Sequence, residues 1–362
     1  MKILVLSDGI RGNLNQSLGI AERIEGSERI KTIEPEYRGP IYRLTGGRKG
    51  RYKFLAKICA LLYPLLIPKL TNFYLKMILT SSSYRKLFDH SADFVISAGS
   101  TMAPLNLLLG RIYKAKKIVC MNPPILGTRY FDLAIIPEHD YKRIRFLKKP
   151  KNLFITIGAP NRINLKALKE EAERLNKRIQ CQSKVKIGIL LGGDDQNYHI
   201  SKEWIKVFLE EMKKFTEKVN GDILLTTSRR TLPEVEKACK EMLSSWMRCK
   251  LSVIANETGE NPVRGMLGLC SIIFTTEDSI AMSSETASSP ATTIVIKVER
   301  KNKRHLVFDE TFKNLSQDGY LHLISLRELP NLSKIALQLL SQPTKILNET
   351  EKAAEAVRKL MR

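Results

Sequence analysis

The run "VKIGILLGG", residues 185–193, is a nearly continuous apolar strand that ends in two glycines. A strand that is apolar on both faces belongs inside a parallel sheet with helices on each side. The chain opens in the same way, with "KILVLSDG" at residues 2–9. A first strand and its glycine turn therefore occur twice, and each starts its own alternation of strand and helix. After the first come a helix at 15–24, strands at 92–97, 117–121 and 133–137, and a helix at 101–113. After the second come helices at 204–219 and 232–243, with strands at 222–228, 250–255, 271–276 and 292–298. The expected fold class is α/β, with two doubly wound, Rossmann-like domains.

A chain of 362 residues suits two domains of ordinary size. The expected division is a first α/β domain over 1–162 and a charged helical connector over 163–184. A second α/β domain follows over 185–335, and closing helices over 336–362 pack back on the first domain. Two such domains facing a cleft form the GT-B arrangement, in which ligands sit at the carboxyl ends of the strands. No internal repeat interrupts this plan.

Hydrophobic residues make up 43% of the chain, which excludes wholesale disorder. The six cysteines are scattered without a CxxC pair, so neither a zinc ribbon nor a disulfide framework is expected, and the thiols suit a reducing compartment. The apolar run at the N-terminus is too short for a signal peptide. The net charge of +23 calls for an anionic partner. Residues 37–88 carry eleven Lys or Arg and no Asp or Glu, around the apolar stretch "KFLAKICALLYPLLIPKLTNFYLKMIL" (53–79). One reading is a pair of amphipathic helices packed on the core. The other is an interfacial element on an anionic membrane, with Lys49, Arg51, Lys53, Lys57, Tyr63 and Phe73 in contact with lipid. The expected location is then cytoplasmic, attached peripherally to the inner face of the membrane. No nucleic-acid-binding motif accompanies the charge, so no nucleic-acid partner is expected.

The chemistry-bearing motifs all follow strands. In "SDGIRGNLNQS" (7–17), Gly9 and Gly12 permit a tight turn, and Asp8 is placed to take a proton from an acceptor hydroxyl or to cap the helix. Asn13, Gln16, Gly99 and Ser100 are candidates on the same acceptor side, the last two from "ISAGSTMAP" (96–104), where Ser97 and Thr101 also face the cleft. In "LLGGDDQNYH" (190–199), Gly192 and Gly193 let the backbone approach a phosphate, while the two aspartates offer a cation site instead. "TTSRRT" (226–231) supplies Ser228, Arg229 and Arg230 as an anion pocket. In "TTEDSIAMSSE" (275–285), Thr275, Thr276 and Ser279 offer hydroxyls to a phosphate. Asp278, Met282 and Glu285 share a helical face there, and Glu285 is placed to accept from ribose hydroxyls. The chain has no Asp-x-Asp, so no metal and no cofactor is expected beyond a nucleotide-sugar donor.

The motifs "SDGxxGxxNQSLGIA", "ISAGS", "GAPNRI", "TTSRRT", "GENP", "TTEDSIAMSSE" and "HLVFDETFKNL" occur in this order over residues 1–325. Together they resemble the mitochondrial-fission family of the elongated-mitochondria type. The resemblance implies a GT-B-like fold. Its plant branch looks like peripheral membrane adaptors, and its bacterial branch like glycosyltransferases of envelope lipids. The segment ending at Glu285 is also similar to the ribose-binding segment of the peptidoglycan lipid glycosyltransferase, where a Gly-x-Pro turn follows. Here the corresponding positions read "SSPATT" (288–293). The expected activity is metal-independent transfer of a sugar to an anionic membrane lipid or lipopolysaccharide-type glycolipid. The alternative is a non-catalytic membrane adaptor.

Overall fold

The structure is a computed structural model and describes residues 1–38, 62–63, 67–143, 150–302 and 306–361. Its contacts divide the chain into two compact units, Met1–Arg162 with Asn348–Arg362, and Ile163–Leu347.

The first unit is built on strands β1 (Ile3–Leu6), β2 (Ile30–Ile33), β3 (Phe94–Ala98), β4 (Lys116–Cys120), β5 (Leu133–Pro137) and β6 (Leu153–Thr156). They form one sheet in the order β2-β1-β3-β4-β5-β6, with every pair parallel. Helices α1 (Arg11–Ile24), α2 (Pro68–Ile78), α3 (Ser81–Phe88), α4 (Ala103–Tyr113) and α5 (Glu138–Arg143) connect them. All residues of β1, β3 and β5 are buried, as their unbroken apolar runs require.

The second unit repeats the plan. Strands β7 (Lys186–Leu190), β9 (Asp222–Thr226), β10 (Cys249–Val253), β11 (Ile272–Thr276), β12 (Thr292–Ile296) and β14 (His322–Ile324) pair in the order β10-β9-β7-β11-β12-β14, again parallel. A two-residue antiparallel ribbon, β8 (Tyr198–His199) with β13 (Glu299–Arg300), adds to it. The helices are α6 (Leu165–Ile179), α7 (Lys202–Lys218), α8 (Pro233–Leu243), α9 (Val263–Leu269), α10 (Ile280–Ala287), α11 (Val307–Gln317) and α12 (Leu332–Leu340). Helix α6, expected as a connector, is a packed part of this unit: Leu168 and Leu175 are buried with Met266 and Leu267 of α9.

The last helix, α13 (Glu349–Arg358), belongs to the first unit. Its Ala353 and Val357 are fully buried in one cluster with Val5, Ile20 and Ile96, and Ala354 is fully buried as well. Its first turn is fixed by Glu349, which accepts from the Ile157 N–H at 2.8 Å, and by Thr350, whose hydroxyl accepts from the Asn161 N–H at 2.8 Å.

In the acid-free segment, Lys49, Arg51, Lys53 and Lys57 lie outside the described residues. Tyr63 corrects the expectation of a lipid contact. It is buried, its ring centroid lies 5.0 Å from that of Tyr130, and the Arg111 guanidinium lies 4.1 Å above it. An aromatic ring held in this way is core. Phe73 is 62% exposed. Among the described residues no helix is long and apolar enough to cross a membrane. The described cysteines are free thiols, and burial pushes Cys120 up to about 12.

Candidate functional site

Each sheet has a switch point where consecutive connections leave in opposite directions, and in sheets of this kind ligands bind there, outside the carboxyl ends of the strands. In the first unit it lies between β1 and β3, because the chain passes from β1 to β2 on one side and returns to β3 on the other. Asp8 ties the two loops together. One oxygen accepts from the Ile10 N–H at 3.0 Å, and the other from Asn13 Nδ2 and Thr101 Oγ1, both at 2.9 Å. Gly9 and Gly99 turn with φ of 77° and 81°, in the left-handed region that glycine tolerates. Met121, at the end of β4, adopts φ 73°, which is uncommon for a residue with a side chain. Its sulfur accepts from Gln16 Nε2 at 3.9 Å. Asp8, Asn13 and Thr101 are thus one hydrogen-bonded cluster, Gly9 and Gly99 supply the turns beside it, Gln16 is tied to the neighbouring strand end, and Ser100 is half-buried in the loop. Ser97 is a correction: it is fully buried, and its hydroxyl accepts from Asn106 Nδ2 at 2.9 Å within the core.

In the second unit the switch point lies between β7 and β11. The glycine loop there holds an anion, but it is the chain's own Asp278. Its carboxylate accepts from the Gly193 N–H at 3.1 Å, the Thr276 hydroxyl at 2.5 Å and Arg230 Nη2 at 2.6 Å. Gly192 donates its N–H to Thr276 Oγ1 at 2.9 Å. A Cβ on Gly192 would fall 2.0 Å from an Asp278 carboxylate oxygen, and one on Gly193 would fall 2.1 Å from the Arg230 carbonyl carbon. Only glycine fits at either position, because of these neighbours. The assignment of Gly192, Gly193, Thr276 and Arg230 to a ligand phosphate is therefore corrected, since an internal carboxylate fills that place. Burial pushes the Asp278 carboxyl above its ordinary value, against the Thr276 hydrogen bond and the Arg230 charge.

Three further expectations shift. Thr275 is 1% exposed, and strand alternation turns it away from Thr276, so its hydroxyl faces the packed interior rather than a ligand. Asp278 precedes α10 and does not share its face. Ser279 is the N-cap, accepting from the Met282 N–H at 3.3 Å, and Met282 packs against the cluster of Leu190 and Met266. Glu285 is half-buried on α10, Ser228 is half-buried after β9, and Arg229 beside it is exposed.

The structure also assembles charges that periodicity misses. Buried Glu277 accepts from Arg300 Nη2 at 2.9 Å and from the Val298 N–H at 3.1 Å, and Arg300 Nη1 donates to Asp309 at 2.9 Å. Asp194 faces His199 Nδ1 at 2.7 Å, accepts from the Ile200 N–H at 3.0 Å, and pairs with Lys301 at 3.1 Å. Asp195 accepts from the amides of Asn197 and Tyr198. Both aspartates are therefore engaged within the ribbon region. Among the described residues no group of three or more His, Cys, Asp or Glu could hold a metal ion. The ribbon strands are two residues long, too short for alternation to reveal.

A sequence model of the family described as "Mitochondrial fission ELM1" matches residues 11–361. An uncharacterized protein of Rickettsia prowazekii is 21% identical over 383 residues, covering 99% of this chain and 98% of that protein. Among solved structures, UDP-GlcNAc 2-epimerase from Methanocaldococcus jannaschii matches with TM-score 0.58 at 13% identity, over 100% of this chain and 99% of that one. The Neisseria meningitidis UDP-GlcNAc 2-epimerase bound to UDP-GlcNAc matches at 0.54 and 13%, over 100% and 99%. Anabaena Alr3699/HepE in complex with UDP-glucose matches at 0.52 and 9%, over 100% and 99%. At such identities the likeness establishes the fold: two Rossmann-like units of GT-B type.

Proposed function

The chain belongs to the mitochondrial fission ELM1 family, and from that premise we propose that it is a glycosyltransferase that uses a nucleotide sugar. The observation that carries this is the β11–α10 turn. A central buried strand ends at a switch point, and an eight-residue helix capped by Ser279 starts there, with half-buried Glu285 two turns along. The first amides of a helix have no intrahelical acceptor and favour an anion. In this reading the donor diphosphate lies against these amides and the exposed Arg229, and Glu285 accepts from the ribose hydroxyls. The glycine loop is not its seat, because Asp278 occupies it.

The acceptor proposed is a hydroxyl of an anionic membrane lipid or a lipopolysaccharide-type glycolipid. Its oxygen attacks the anomeric carbon, the bond from that carbon to the diphosphate oxygen breaks, and Asp8 takes the hydroxyl proton. A carboxylate offers about four lone-pair positions. Ile10, Asn13 and Thr101 use three of Asp8's, so one is left for this proton. The helix amides and Arg229 stabilise the leaving diphosphate, so no metal is required. The protein works on the cytoplasmic side, attached peripherally to the inner face of the membrane.

Titration with UDP in EDTA tests the donor half. Binding is expected without a divalent cation, and Glu285→Ala should weaken it by about 1–3 kcal/mol, the range for a hydrogen-bonding group that loses its partner. No binding at millimolar UDP, or a requirement for a divalent cation, overturns the donor reading. One observation favours a second reading, a non-catalytic membrane adaptor: the loop that could cradle a phosphate is filled by the protein's own carboxylate.

A further inference from the structure

Helix α2 has two apolar faces, and the protein covers one of them. Thr71, Leu75 and Ile78 are buried, with Leu75 and Ile78 in the core cluster of the first unit. Leu70, Phe73 and Met77 are 50%, 62% and 53% exposed, and Ile67, just before the helix, is 61% exposed. Residues three and four apart on a helix share a face, so these four form a single stripe. Exposed Lys69 and Lys76, seven residues apart, run along its flank. Single exposed apolar side chains are ordinary on a protein surface, but a contiguous stripe marks an interaction site.

The charge of the surrounding sequence identifies the partner. Residues 37–88 contain eleven Lys or Arg and no acid. Neither core packing nor contact with water gives a reason to exclude carboxylates over such a length, whereas an anionic surface does. A second copy of this chain is a poor occupant, since it would bring the same acid-free face and a net charge of +23 against itself.

We propose that α2 is the element that docks the protein on an anionic bilayer. The helix lies in the plane of the interface, Leu70, Phe73 and Met77 enter the boundary between headgroups and acyl chains, and Lys69 and Lys76 meet lipid phosphates. This rests on the peripheral-membrane reading above and names the surface that makes the contact. It binds a lipid surface by area and charge together, so it should respond differently to salt and to loss of apolar side chains.

The test is co-sedimentation of the full chain with phosphatidylcholine vesicles that contain or lack phosphatidylglycerol. The native chain should pellet with the anionic vesicles and much less with the neutral ones. Phe73→Ser with Met77→Ser should lower the partition coefficient by about tenfold or more at every salt concentration. Lys69→Gln with Lys76→Gln should lower it at low salt and leave it nearly unchanged at high salt, where headgroup attraction is screened. Phe73→Trp supplies a direct reporter: its fluorescence should shift to the blue and be quenched by brominated lipid, beyond the response of the native tryptophans. Full binding by the serine variant, or an unquenched reporter in bound protein, overturns α2 as the docking element while leaving membrane attachment in place. Failure of the native chain to bind either vesicle overturns the membrane reading itself. A concentration-dependent dimer that the serine variant abolishes would assign the stripe to self-association and overturn the proposal.

Discussion

Three donors converge on the buried carboxylate of Asp278: the Gly193 amide, the Thr276 hydroxyl and the Arg230 guanidinium. The same carboxylate explains Gly192, whose missing Cβ is the space it uses. Gly192→Ala should therefore cost about 1–3 kcal/mol, as over-packing usually does. Asp278→Ala should cost a similar amount by leaving the Gly193 amide and the Thr276 hydroxyl without the acceptor they share. The double variant should cost clearly less than the sum, because the new methyl fills the vacated place. Urea unfolding of the four proteins measures this, and strict additivity would mean that the two residues do not compete for space. At the other switch point, Asp8→Asn should leave UDP affinity unchanged and lower any sugar transfer by about 10²–10⁴, the usual contribution of a positioned base. Full transfer by that variant would reduce Asp8 to the organiser of its loop. The glycine pairs and the acidic residues were legible in the sequence as unusual. That they serve each other was not, because Asp278 and Gly193 are 85 positions apart.

Helix α10 is short, and its N-cap holds the first turn and, in the proposed function, faces the donor diphosphate. Ser279→Ala should cost about 1 kcal/mol, since the Met282 amide loses the oxygen that accepts from it. Ser279→Asp keeps an acceptor at the cap and adds a charge that the helix N-terminus favours, so stability should hold or rise. The same charge repels a diphosphate, so UDP affinity should fall. Thermal unfolding and UDP titration of the two variants separate the roles, and an aspartate variant that binds UDP as well as the native chain would move the phosphate away from this turn. Among the longer elements, "LAIIP" and "SIIFTT" read plainly as strands, because short runs of apolar and β-branched residues suit a sheet covered on both faces. Strands β8 and β13 did not, because two residues carry no period.

Over the whole molecule, the chain ends in the unit where it began. Removal of residues 348–362 should destabilise the first unit by about 3–5 kcal/mol, counting roughly 1.5–3 for buried Val357 and 0.8 for each of the buried methyls of Ala353 and Ala354. Thermal unfolding of the truncated chain checks this. Acid should act chiefly on the second unit. Burial acts to raise Asp194 and Asp222, but hydrogen bonds from His199 and Ile200 to the one, and from Cys181 and Ser183 to the other, hold both below their ordinary value. Glu328 is lowered by the Ser325 hydroxyl and amide. Carboxylates that release protons more readily when folded stabilise fully above their unfolded values and lose that contribution as pH falls through the lower folded ones. The stability these three carboxylates supply should therefore be lost below about pH 4, the ordinary carboxylate range, while Glu277 and Asp278, which burial raises, act in the opposite direction. Asp222→Asn should flatten that acid limb in a pH series of urea unfolding, and an unchanged limb would remove Asp222 from it. Sequence alone determined the two α/β units, because each apolar strand run and each glycine turn is local and repeats in chain order. It also determined the family, because its motifs are short but ordered. Only the tertiary structure decided that Asp278 fills the glycine loop and that Tyr63 is core while Phe73 is exposed. Each of those depends on which distant side chain reaches a given space first, and no local pattern records that.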